Sequence, residues 1–193
     1  GDWQTQLSNS DRSEEVAGNL LEIVQRRDVG TVVFAGDQKQ HYSPIQVSVI
    51  LFWRNLIQAV AQANATPVVI LGNHDRIGLY DDERNWLPIL QDAGAVVFDR
   101  PGQIDLGDGH LYTLPFVGTE ERLKKALSVL DSQTPNPKTD ILVFHQTLAG
   151  ARFNKLGPGG VVEPGKGIPL SSLKPERFRY CLGGDIHLSQ QVG

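Results

Sequence analysis

Methionine is absent from the 193-residue chain, even at its first position, and there is one cysteine, Cys181. A single thiol excludes an internal disulfide and fits a reducing, cytoplasmic compartment. The missing methionines are expected of a chain clipped at both ends, or of one whose methionine positions have dropped out. No apolar run reaches the length of a membrane span and no signal peptide is visible, so no membrane partner is expected. Basic excess is lacking too: 18 Lys and Arg against 22 Asp and Glu leave a net charge of −4. That balance argues against a charge-driven, non-specific grip on nucleic acid. It does not exclude an enzyme acting on nucleic acid, because carboxylates that hold metal ions count as negative until the ions are added. Repeats and low-complexity tails are absent. With 40% apolar and 21% charged residues, the chain suits one α/β domain with a real core and is short for two.

What is present is an alternation of strands and helices. SEEVAGNLLEIVQRR places Val16, Leu20, Ile23 and Val24 at helical spacing, and Asp11 and Glu14 resemble a capping box. TVVFA (31–35) and PVVIL (67–71) read as buried strands around a helix over 47–64. A short helix ending at Gly94 precedes the strand AVVF. QIDL and HLYTLPF form a hairpin through the turn GDG. A helix over 119–131 takes Thr119 as its N-cap, followed by strands at 140–144 and 179–182. The Gly/Pro-rich loop 150–167 has no core pattern. The sum is one α/β domain over residues 1–193 with a mainly parallel central sheet.

In open α/β sheets, ligands bind outside the carboxyl ends of the strands. Those ends share a chemistry here. Asp37 follows Gly36, and Asn73, His74 and Asp75 follow Gly72. His145 ends the 140–144 strand, and Asp185 and His187 follow Gly184. Asp2 and Gln4 stand where a preceding strand would end. Each alone has an ordinary explanation, since Asp, Asn and Gly are turn formers and a half-buried His is common. Independent turn residues have no reason to choose metal-ligand types at one sheet edge, so a shared metal site is expected. Carboxylate, amide and imidazole donors suit Mn²⁺, Fe²⁺, Zn²⁺ or Mg²⁺. More ligands are present than one ion needs. Two ions sharing a carboxylate explain the surplus, and such pairs clamp a phosphoryl group and activate a water for in-line attack. His74, beside a ligand, is placed to protonate a leaving oxygen.

These residues resemble the motif series of the calcineurin-like metallophosphoesterase superfamily: D-x-H, G-D, G-N-H-D, a lone H, and G-H-x-H. Here the series reads Asp2-Trp3-Gln4, Gly36-Asp37, Gly72-Asn73-His74-Asp75, His145 and Gly184-Asp185-Ile186-His187. The resemblance is strongest to SbcD-type DNA repair exonucleases. GDQKQHYSPIQVSVILFWRNL is similar to their second motif and its helix, and LPFV to their PIPF segment. DILVFHQTLAGA is similar to their lone-His motif, and IPLSSLKPERFRYCLGGDIHLSQ to their final stretch.

The resemblance implies a layered sheet sandwich flanked by helices, with two divalent ions, Mn²⁺ first among them. It implies Asp37 as the bridging ligand. Asp2, Gln4 and His187 would complete one ion, and Asn73, His145 and Asp185 the other. His74 would be the general acid, aligned by a nearby acceptor, with Asp75 grouped beside it as catalytic. Three positions depart from the family. Gln4 replaces a His, which weakens one ligand. Asp185 replaces another His and favours harder ions. Gln40 stands where SbcD-type enzymes often carry His, with His41 one place later.

The expected activity is hydrolysis of DNA phosphodiester bonds, with an SbcC-like ATPase and a second copy of the chain as partners. Arg152 and Lys155, with Lys166, are the candidate phosphate contacts in the glycine-rich loop. Arg122, Lys124 and Lys125 read as a solvated helix face. A small phosphate ester as substrate, or a scaffold that has lost catalysis, are the competing readings.

Overall fold

A computed structural model describes residues 3–40, 44–78, 84–152, 167–186 and 190–192. Its elements run α1 (Ser10–Arg27), β1 (Thr31–Phe34), α2 (Val47–Gln62), β2 (Thr66–Ile70), α3 (Pro88–Asp92), β3 (Val96–Phe98), β4 (Gly102–Asp105), β5 (His110–Leu114), α4 (Glu120–Asp131), β6 (Ile141–His145) and β7 (Tyr180–Gly184). The strands form two sheets, the layered sandwich that the family resemblance implied, where strand–helix alternation alone had suggested one central sheet. One is all parallel in the order β1-β2-β3, and the other runs β4-β5-β6-β7 with only the β4–β5 hairpin antiparallel. Strands β1, β2, β5 and β6 are rich in buried apolar residues of the type covered on two faces, whereas β4 alternates and β7 leaves Tyr180 and Leu182 exposed.

The sheets cover each other through Ala35, Val68, Ile70, Leu111 and Val143. Helices α1, α2 and α3 pack Val24, Trp53, Ile57, Val60, Leu87 and Leu90 on the outer face of the first sheet. Helix α4 contributes Ala126 and Leu130 to the outer face of the second, with Leu114, Leu142, Phe144 and Phe178. The architecture is therefore a two-sheet sandwich flanked by helices. Among the described residues no helix is long and apolar enough to cross a membrane.

Local rules account for most element ends. Thr119 caps α4 by accepting from the Arg122 N–H at 3.4 Å, as its position predicts. The Asp11–Glu14 capping box does not form. Helix α1 starts earlier, at Ser10, which puts Asp11 inside the first turn. The carboxamide of Asn9 turns instead to the preceding loop, taking the Gln6 N–H at 2.9 Å and donating to the Gln4 carbonyl at 3.1 Å. The apolar stripe of α1 is also narrower than its spacing suggested. Ser13, Ala17 and Val24 are buried, whereas Val16 and Ile23 are 43% and 47% exposed. The basic face of α4 is solvated, and Lys124 pairs with Glu120 one turn away at 2.7 Å.

Trp53 ties this core to the loop after β1. Its indole is fully buried among Trp3, Phe34 and Phe52, and its Nε1–H donates to the Gln38 carbonyl at 2.8 Å. Trp53→Phe keeps an aromatic ring but strands that buried carbonyl. A loss of about 2 kcal/mol in urea unfolding is expected; a change below about 0.5 kcal/mol would mean the bond contributes nothing to the fold.

Candidate metal centre and active site

Parallel pairing brings the strand ends together. Gly184 of β7 lies in register with His145 of β6, so Asp185 emerges beside that imidazole. Phe34 of β1 pairs with Val69 of β2, so the loops carrying Asp37 and Asn73 leave the first sheet side by side. The two sheets are stitched at this edge by the Phe116 N–H, which donates to the Leu71 carbonyl at 2.8 Å.

His145 is fully buried, and its ring orientation is set by the first sheet: Nδ1 lies 2.7 Å from the Ala35 carbonyl. A carbonyl only accepts, so Nδ1 carries a proton and Nε2 is the atom offered to the cluster. Around Nε2 stand Asn73 Oδ1 at 3.0 Å, Asp37 Oδ1 at 3.3 Å and Asp185 Oδ1 at 4.0 Å. The other oxygen of Asp185 accepts from Thr147 Oγ1 at 2.5 Å. Turning the Asn73 amide over would satisfy the acceptors with its NH₂, at 3.0 Å from Nε2 and 3.1 Å from Asp37 Oδ1. The cluster thus wants a positive or donor group at its centre, and a divalent ion is the alternative to that turned amide. Imidazole, amide and two carboxylates are the donor types such ions take. Among the described residues no three His, Cys, Asp or Glu side chains close on one point by themselves. The described donors are therefore a partial set. Of the three other predicted ligands, Gln4 is described, while Asp2 and His187 lie outside the described residues, as do Lys155 and Lys166 of the loop.

Two glycines permit this approach. A Cβ on Gly36, which has φ of +93°, would collide with the His145 ring, and one on Gly72 would collide with the Asp37 backbone and carboxylate. Backbone strain concentrates at the same place. Among the described residues, Gln4, Asp37 and Asp185 are three of the six non-glycine residues with positive φ, at 45°, 54° and 81°. Such conformations persist where the surroundings impose them, and they gather at functional sites. Gln4 is held there by its N–H, which donates to the Asp37 carbonyl at 2.8 Å.

The His74 ring is partly open, with 21% of its side chain exposed and Nε2 4.0 Å from Asp37 Oδ2. The acceptor that aligns it is the Gln40 carbonyl, 2.5 Å from Nδ1. Asp75, its neighbour in sequence, turns away from it. That carboxylate is fully buried and receives N–H groups from Asp37 at 2.9 Å, Gln38 at 3.0 Å, Gly72 at 2.9 Å and the Trp86 indole at 3.2 Å. Asp75 therefore positions the loop that presents Asp37, and makes no contact of a catalytic kind. Arg152 is exposed; its N–H and carbonyl pair with the Gln190 amide, both at 2.8 Å. Among the described residues it makes no hydrogen bond or ion pair to the cluster.

Charge follows burial. Desolvation raises the Asp37 pKa, but hydrogen bonding and charge from His145, with the N–H and ring of His74, outweigh it and hold the carboxyl below its usual value. Asp75 goes the other way. Burial and the Asp37 charge push it up to about 6, against the Gly72 and Trp86 donors, so it is ionised at neutral pH. Lys39, also buried, is drawn down to about 8 by desolvation, against the charges of Asp75 and Asp37.

Spacing did not reveal Thr147, Trp86, Lys39 or the Gln40 carbonyl. Thr147 had a signal, being two residues beyond His145 at the same strand end; the others act through contacts that cross the fold. Asp75→Asn sets an NH₂ against N–H donors and removes the buried charge. A loss of about 3 kcal/mol in urea unfolding is expected, and a loss under about 1 kcal/mol would deny Asp75 its clamping role.

No curated protein matches the chain. The family of calcineurin-like phosphoesterases, metal-dependent hydrolases, matches it over residues 1–189. That match covers the four strand ends that carry Asp37, Asn73, His145 and Asp185, and the chain belongs to the calcineurin-like phosphoesterase family.

Proposed function

We propose that the chain is a two-metal phosphodiesterase acting on DNA, of the SbcD type. The observation that carries the reading is the convergence of Asp37, Asn73, His145 and Asp185 at one sheet edge, with the His74 ring partly open beside them. Asp37 would serve both ions. Asn73, His145 and Asp185 would hold one, and Asp2, Gln4 and His187 the other. When bound, the ions supply Lewis-acid charge that neutralises phosphoryl oxygens and makes water nucleophilic near neutral pH.

The protein's own groups do the remaining work. Ala35 fixes the His145 tautomer and Thr147 fixes Asp185, so the ligands keep their orientation before any ion arrives. With Nδ1–H committed to Gln40, His74 can move a proton only at Nε2, which faces the cluster. Placed there, it donates to the leaving oxygen of a scissile phosphodiester. The DNA substrate is supported by the similarity of the second-motif, lone-His and final stretches to SbcD-type exonucleases. Arg152 and Lys155 would meet the phosphate backbone. An SbcC-like ATPase, a second copy of the chain and a cytoplasmic setting belong to the same reading, and Mn²⁺ is its preferred ion.

Net charge of −4 and the ion-paired, solvated face of α4 favour a second reading, a small phosphate ester as substrate. Mn²⁺-dependent degradation of end-labelled double-stranded DNA separates the two. Activity is expected, and His74→Ala should reduce it by about 10²-fold or more. Hydrolysis of small esters without DNA degradation would move the assignment to the second reading. Absence of both activities, with no bound ion, would point to a scaffold that has lost catalysis.

A further inference from the structure

The segment from Asp37 to Gln40 does more than present a carboxylate: it grips His74 at three separate atoms. Asp37 Oδ1 accepts the His74 main-chain N–H at 2.9 Å, and the Gln40 carbonyl takes the ring Nδ1–H at 2.5 Å. The third grip is on the His74 carbonyl and comes from Lys39. Its ammonium donates to the carbonyl oxygen of His74 and, at 3.0 Å, to that of Arg76. Lys39 is only 2% exposed. Burying an ammonium is costly unless its donors are used, so an ammonium at this depth marks a place where carbonyls need holding. Its backbone is anchored as well, since Lys39 bridges Thr5 in parallel register and Gln40 N–H donates to the Thr5 carbonyl at 3.2 Å.

We propose that Lys39 is a positioning residue for His74: by holding the His74 and Arg76 carbonyls it sets the main-chain path through the G-N-H-D turn and keeps the ring on Gln40 with Nε2 toward Asp37. This inference rests on reading His74 as the proton donor to the leaving oxygen. Its force comes from geometry. The imidazole is a lever on the His74 Cα, so a small rotation of the peptide swings Nε2 far, and a misplacement of about 1 Å can cost about 10²-fold in rate. Asp75 fixes Asp37, Gln38 and Gly72. On the carbonyl side of the turn, Lys39 holds His74 and Arg76.

Lys39→Met keeps the stem and removes the donors. NMR of ¹⁵N-histidine-labelled protein without paramagnetic ions reads the ring directly. Among the described residues, hydrogen-bonded Nδ1–H signals are expected from His74 on Gln40 and His145 on Ala35, the first identified by its loss in His74→Ala. In Lys39→Met the His74 signal should disappear or shift while that of His145 stays. An unchanged His74 signal overturns the proposal. So does loss of both signals, which would make Lys39 a general support of the fold. This readout needs no activity, so it stands apart from the catalytic reading.

A double-mutant cycle on end-labelled DNA tests the consequence, because its alkoxide leaving group needs the proton that His74 supplies and a residual rate in His74→Ala can be followed by the label. Lys39→Met should lower kcat about tenfold or more with KM little changed, and lower it no further in the His74→Ala background. Equal fold-losses in both backgrounds would overturn the positioning role, whereas a wild type with no hydrolysis at all would defeat the catalytic reading and leave the NMR result to decide this one.

Discussion

The site depends on one buried carboxylate. Asp75 sits at the end of β2 yet binds the main-chain N–H groups of Asp37 and Gln38, which follow β1. A carboxylate with no water must find donors, and here they come from two loops and the Trp86 indole. The bond therefore couples the conformations of both loops. It holds Asp37 at a positive φ that a non-glycine residue would otherwise leave, and aims its side chain at His145. The cost of burial is offset by N–H bonds that no apolar residue could make.

From that clamp the rest follows in order. Gly72 lets Asp37 lie against the second loop, and Gly36 lets the His145 ring enter from the other sheet. The Ala35 carbonyl then chooses the His145 tautomer. The sandwich matters because His145 and Asp185 come from the second sheet and Asp37 and Asn73 from the first. Apolar burial between the sheets, through Val68, Ile70, Leu111 and Val143, thus brings four polar groups to one point. The ion-binding reading rests on what remains once those groups are placed: acceptors facing Nε2, which a cation, a turned amide or a proton on Nε2 relieves.

The elements were legible because their periodicity is local. The β-branched runs at 31–35 and 67–71 and the Thr119 cap could be read without a fold. Division into two sheets came from the family resemblance and not from the pattern, since strand pairing depends on which faces cover each other. Exposure of Val16 and Ile23 escaped for a related reason: spacing gives the stripe on α1 and not the width of the surface beneath it. In the site, residue types at strand ends named the ligand candidates, because chemistry and topology agree there. Roles that depend on direction did not show. Asp75 stands next to His74 in sequence and faces away from it, while the acceptor on His74 is a backbone carbonyl 34 residues distant, which no side-chain motif can encode.

In the proposed two-metal reading, Asp37 lies at the heart of a divalent metal centre. Metal analysis of the Mn²⁺-loaded, desalted protein beside its Asp37→Asn variant tests this most directly. A bridged pair predicts about two ions per chain in the protein and loss of both in the variant, because a shared ligand serves each. Ions retained in full by Asp37→Asn, or none bound by the protein itself, would contradict it.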